Sequence, residues 1–196
     1  MSARVVDILF VRHPETEANI NGRFVGQGES AYTPEGLRQA RRLPAKIAAF
    51  EPGTIWTSPL LRARVVAERA ARIMGAPLVV EPRLIELDFG AAHALTWEEA
   101  QAAGIRFDYR SFDGPVAPGG ESRRQLQERV GAAVDDACEQ GGRHAFVCHA
   151  GVMRAAFGHA LRLTPDQLWM FAIHNAQLAH VRFVDGTAML VEYRQG

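Results

Sequence analysis

Three places in the chain offer imidazole or guanidinium groups at the same kind of position, the end of a short apolar run. Residues 8–13 read ILFVRH, so Arg12 and His13 follow directly on Val11. Residues 144–149 read HAFVCH, after which Ala150 and Gly151 open the helical stretch VMRAAFGHAL. Residues 54–57 read as a strand, followed by Ser58 and Pro59 as N-cap and first-turn residues, with Arg62 and Arg64 in the opening turns of the next helix. One Arg-His pair after a strand is usually a solvated strand end, but repetition at independent sites argues otherwise. In an open α/β sheet the C-terminal strand ends are where ligands bind. A fixed guanidinium beside an imidazole suits an anion, and the helix start after His149 adds amide donors and the positive end of its dipole. The chemistry this points to is that of phosphate.

The elements needed to hold those groups alternate between strand and helix along the chain, which predicts a three-layer α/β/α sandwich with a mostly parallel central sheet. Strands are expected near residues 5–12, 54–57, 78–81, 144–149, 177–184 and 188–194, and helices near 34–50, 59–74, 97–103, 123–140 and 151–162. Thr96 with Glu99, and Ser122 with Gln125, have the form of capping boxes. Leu126, Val130, Ala133, Val134 and Ala137 repeat on one helical face and should pack on the sheet. Pro44 should kink the first long helix or make it restart, and Asp185-Gly186 signals a tight hairpin. We expect one domain over residues 1–196, with a short lid or insertion around 91–118. That segment carries Trp97, Phe107, Tyr109 and Phe112, and sets Arg106 and Arg110 against Asp108 and Asp113.

Composition excludes several classes of function. The 196 residues are 47% hydrophobic, enough for a sizeable core. Lys+Arg and Asp+Glu both number 22, so no global basic field invites nucleic acid or an anionic membrane. Arg38, Arg41 and Arg42, and the pair Arg123 and Arg124, read as solvated helix faces. The apolar run at residues 5–11 is too short to span a membrane, and a cytoplasmic location is expected. Two cysteines make no disulfide scaffold, so Cys138 and Cys148 read as small buried hydrophobes. No histidine pair has metal-ligand spacing, which leaves structural roles for His93, His144, His159, His174 and His180. Neither a metal nor another cofactor is called for, and a homo-oligomer is compatible with the chain.

With these residues in view, the chain resembles the histidine phosphatase superfamily, the phosphoglycerate mutase-like phosphatases and mutases. The opening motif Arg-His-Gly-x-Thr-x-x-Asn is similar to Arg12, His13, Pro14, Glu15, Thr16, Glu17, Ala18 and Asn19. GRFVGQGES with TPEG at residues 33–36, SPLLRA at 58–63, LIELDFG at 84–90, GGES at 119–122 and CHAGVMR at 148–154 resemble further motifs in the family's order.

The resemblance implies a phosphoglycerate mutase-like fold and assigns roles. His13 would be the nucleophile, attacking phosphorus as a neutral imidazole to give a phosphohistidine. Arg12, Arg62, His149 and the Asn19 amide, with Ala150 at the helix start, would surround the phosphoryl oxygens. Glu86 would protonate the leaving oxygen and later deprotonate water, a task suited by burial near Leu84, Leu87 and Phe89. Asp88 reads as a solvated bystander. Departures from the family's pattern are Pro14 in place of glycine, Ala92-His93-Ala94 after the acidic segment, Val66, Glu29 and Tyr32. The resembled mutases carry a longer, basic insertion, so the expected activity is hydrolysis of a small-molecule phosphate ester. Mutase-type phosphoryl transfer and a non-catalytic phospholigand-binding protein are the alternatives.

Overall fold

In the computed structural model, which describes residues 3–108 and 111–196, six strands form one sheet in the order β3-β2-β4-β1-β5-β6. The strands are β1 Val5–Arg12, β2 Thr54–Thr57, β3 Leu78–Val80, β4 Gly142–Cys148, β5 Gln177–Val184 and β6 Thr187–Gln195. Pairing is parallel from β3 through β1, and antiparallel where β5 and β6 join as a hairpin. The helices are α1 Glu17–Ile20, α2 Pro34–Ala49, α3 Leu61–Met74, α4 Trp97–Ala102, α5 Arg123–Gln140 and α6 Ala150–Leu161. Tyr109 and Arg110, placed in the lid by the sequence, lie outside the described residues.

Strand alternation divides the core into two layers. Val6, Ile8 and Phe10 of β1 pack with α5 and α6, whereas Leu9 and Val11 pack with α2 and α3. Successive residues of one strand therefore serve opposite faces of the sandwich. Both capping boxes form, from Thr96 with Glu99 and from Ser122 with Gln125. Asp185 and Gly186 take the positive φ values of 47° and 81° that a two-residue hairpin turn requires.

Three local expectations are corrected. The α2 helix runs unbroken through Pro44. Pro44 lies on the buried face of that helix, where packing against the sheet outweighs the one backbone hydrogen bond its ring cannot donate. Ser58 is not a helix N-cap; α3 begins at Leu61 with Leu60 in that position, and Ser58 stays level with the strand ends. Cys138 is half-buried, whereas Cys148 is fully buried.

In the segment 91–118, Trp97 stacks on Phe107 with ring centroids 4.8 Å apart, and Phe24 sits against both. These aromatics pack the insertion onto the early loop. Among the described residues no helix is long and apolar enough to cross a membrane.

Candidate active site

Register decides which groups meet. Arg12 is paired with Cys148, the His13 amide donates to the Cys148 carbonyl at 3.0 Å, and the Ser58 amide donates to the Val147 carbonyl at 3.0 Å. Three neighbouring strands thus deliver Ser58, His149 and His13 side by side. The two imidazole rings lie 5.1 Å apart, and both are buried.

The His13 ring has a defined tautomer. Its Nδ1 lies 2.6 Å from the Pro14 carbonyl, which only accepts, so Nδ1 carries the proton and the lone pair is on Nε2. Burial, followed by the charges of Arg62 and Arg12, holds the His13 pKa well below the ordinary histidine range. The ring is neutral near pH 7. His149 is held in the same direction by burial and by His13 and the same arginines. Its Nε2 lies 2.7 Å from the Ser58 hydroxyl, while Nδ1 is buried without a partner.

Arg12 and Arg62 are anchored by carbonyls rather than by acids. Arg12 donates to the Ile173 carbonyl at 2.7 Å and keeps a buried, unpartnered Nε. Arg62 donates to the Gly28 and Gly26 carbonyls at 2.5 and 2.6 Å. Two departures from the family pattern support it: Tyr32 donates its hydroxyl to the Arg62 carbonyl at 2.7 Å, and Glu29 lies 4.0 Å from its guanidinium. Burial pushes the pKa of Arg12 and of Arg62 down, and Glu86 is the leading charge that opposes it.

Glu86 comes from a loop and is fixed by the backbone around it. Its carboxylate accepts the Leu87 amide at 2.9 Å and the Gly151 amide, at the start of α6, at 3.2 Å. A Cβ on residue 151 would overlap the Glu86 carboxylate, so only glycine permits this approach. Arg129 clamps the loop by donating to the carbonyls of Arg83, Ile85 and Glu86 at 2.6, 2.7 and 3.2 Å. Arg129 is itself paired with Glu121 at 2.6 Å. Asp88 is a turn former rather than a solvated acid, accepting the Gly90 amide at 2.8 Å. Asn19 uses its carboxamide oxygen to receive Thr16 and, at 2.9 Å, the Asn175 amide.

Beside Glu86 and the start of α6 lies a cavity of about 250 Å³, whose lining includes Ala150, Arg123 and Arg154. Arg123, expected on a solvated face, therefore borders this cavity and also donates to the Ser111 carbonyl at 3.1 Å. Of the other sequence-predicted residues, His13, Arg62 and His149 form one buried group with half-buried Arg12 and Glu86 at its edge, whereas Asn19 is exposed. Burial raises the Cys138 thiol to about 11 and pushes Cys148 up further, so neither offers a thiolate. His144 and His180 are structural, bonded to the Gly141 carbonyl at 2.9 Å and to Asp7 at 2.6 Å.

Sequence reasoning does not single out Ser58 as a site residue, nor Asn175, Arg129 or Arg154. For Arg154 a signal exists: it stands four residues after Ala150 on the same helix, and so shares a face with the helix start. Among the described residues no group of three or more His, Cys, Asp or Glu is arranged to hold a metal ion.

The sequence pattern described as Histidine phosphatase superfamily (branch 1) matches residues 8–196. A "Metal-independent phosphoserine phosphatase" of Arabidopsis thaliana is 34% identical over 84% of this chain and 71% of its own. A "Probable phosphoglycerate mutase GpmB" of Photorhabdus laumondii is 29% identical over 91% of this chain and 86% of its own. Among solved structures, a mycobacterial glucosyl-3-phosphoglycerate phosphatase in complex with VO3 superposes with a TM-score of 0.86 at 22% identity, covering 99% of this chain and 100% of that one.

Proposed function

Because the chain belongs to branch 1 of the histidine phosphatase superfamily, we propose that it hydrolyses monoesters of small phosphorylated metabolites through a phosphohistidine on His13. The observation that carries this reading is the His13 tautomer, with Nδ1 committed to the Pro14 carbonyl and Nε2 left as a neutral nucleophile among Arg12, Arg62 and His149.

In the first step Nε2 forms a bond to phosphorus as the phosphorus–oxygen ester bond breaks. Glu86 gives its proton to the departing alcohol oxygen. In the second step water attacks phosphorus, the Glu86 carboxylate takes a proton from that water, and the phosphorus–nitrogen bond breaks to return His13 and release phosphate. In this reading Arg12, Arg62 and His149 meet the equatorial oxygens, where charge concentrates. A phosphoryl oxygen gives the orphaned Arg12 Nε and His149 Nδ1 an acceptor.

Hydrolysis is favoured over mutase transfer by the shortness of segment 91–118, whose acids Glu99 and Asp113 are paired with Arg23 and Arg124 outside it. The reading includes a metal-independent reaction, since guanidinium groups supply the positive charge, and a cytoplasmic location, where two unpaired cysteines persist.

The test is chemical trapping. Brief reaction with a ³²P-labelled ester should leave an adduct labile to acid and stable to alkali, and His13→Ala should remove both adduct and turnover. Label on serine, cysteine or aspartate would overturn the mechanism.

A further inference from the structure

We infer that the cavity beside Glu86 is a leaving-group subsite that selects esters whose alcohol combines a ring-sized apolar body with a carboxylate, and that Arg154 reads the carboxylate. This rests on the hydrolytic reading above. An acid that protonates the bridging oxygen must have the alcohol on its own side of the phosphorus, and Glu86 is part of the wall of this cavity of about 250 Å³.

The rest of that wall is largely apolar, with Phe89, Phe112, Val116, Leu126, Leu168 and Trp169 facing inward. A polyol placed there would leave hydroxyls without partners, each at a desolvation cost, whereas an apolar ring gains by leaving water. Two cations border this wall: Arg123, which donates to the Ser111 carbonyl at 3.1 Å, and Arg154. Arg154 lies over the Trp169 ring, 5.1 Å from its centroid, which braces the guanidinium. It donates to the Phe171 carbonyl at a long 3.3 Å, and its Nε is buried without a partner. Burial pushes its pKa down and Glu86 is the main opposing charge, yet the two form no ion pair within 4 Å among the described residues. A guanidinium kept in an apolar wall with so few acceptors is costly unless its ligand supplies an anion. A planar carboxylate matches its fork of donors.

The experiment compares kcat/KM for 3-carboxybenzyl phosphate with its neutral isostere 3-carbamoylbenzyl phosphate, and for benzyl phosphate with glycerol 2-phosphate. The wild-type enzyme should favour the carboxylate by about tenfold or more, the scale of one charge-assisted hydrogen bond. It should also favour benzyl over glycerol phosphate. Arg154→Met should bring the carboxylate-to-amide ratio to about one, and Arg154→Lys should restore part of it. Equal rates for the isosteres, a preference that survives Arg154→Met, or equal losses on every ester would overturn the assignment; the last would place Arg154 on the phosphoryl group. Glycerol phosphate turning over as well as benzyl phosphate would overturn the apolar half. Calorimetric titration of His13→Ala with the same compounds makes the comparison without turnover. A protein that binds with this preference yet hydrolyses nothing would fail the proposed function and keep the subsite.

Discussion

The two ends of the proposed site are built from different material. The phosphoryl end is made of strand termini: His13, His149 and Ser58 leave adjacent strands of the sheet, and half-buried Arg12 and buried Arg62 are tied to carbonyls. The leaving-group end is made of loops and helix flanks. Glu86 and Phe89 come from one connection and Phe112 and Trp169 from two others, and their wall is mainly apolar. The difference separates two tasks. Charge stabilisation demands groups that do not reorganise as the reaction proceeds, which a hydrogen-bonded sheet supplies. Choice of alcohol demands only a shaped surface, which loops can vary without disturbing the sheet.

If that division is right, damage at the phosphoryl end should be large and indifferent to the alcohol. Arg62→Ala should cost at least ~2 kcal/mol of transition-state stabilisation, judged from kcat/KM, because it removes a preorganised charge-stabilising donor. The loss should be similar for alkyl and aryl esters. An effect confined to one class of alcohol would break the comparison.

At the other end the signature is dependence on the leaving group. In single-turnover measurements Glu86→Gln should slow an alkyl phosphate much more than p-nitrophenyl phosphate, because a general acid matters most for a strongly basic departing oxygen. Equal slowing of both would remove Glu86 from the acid role.

Arg129 sharpens the comparison by acting through Glu86. Arg129→Met deletes the donors to the Arg83, Ile85 and Glu86 carbonyls and removes the ion-pair partner of Glu121. We expect about a tenfold loss of kcat on alkyl phosphates, with little on p-nitrophenyl phosphate, since misplacing a catalytic group by a fraction of an ångström is enough. A merely structural role would depress both esters alike.

The smallest expected effect is none at all. Exhaustive chelation should leave activity unchanged, because arginines meet the phosphoryl charge. Loss on chelation with recovery on adding Mg²⁺ or Zn²⁺ would show that an ion shares the phosphoryl end.

Much of this arrangement is legible in the order of the amino acids. The apolar strand runs, the helical face at Leu126 to Ala137, the capping boxes at Thr96 and Ser122, and the turn at Asp185-Gly186 are local, and each forms where its residues place it. Pro44 departs from expectation because helix propensity is a local rule and the buried packing of α2 is not. Ser58 departs for a related reason. Its residue type suits an N-cap, yet its hydroxyl faces His149, 91 residues away.

The sequence by itself determined the cast at the phosphoryl end: histidines and arginines at the ends of apolar runs, because strand length and helix start are written in neighbouring residues. Only the tertiary structure decided how those groups act. The register of β1 against β4 brings the two imidazoles within 5.1 Å, and burial beside two arginines keeps His13 neutral. Glu86 is held by an amide 65 residues along the chain and by Arg129, 43 residues along. Desolvation and long-range hydrogen bonds exist only once distant segments have packed, so the chemical state of each group, unlike its identity, is a property of the fold.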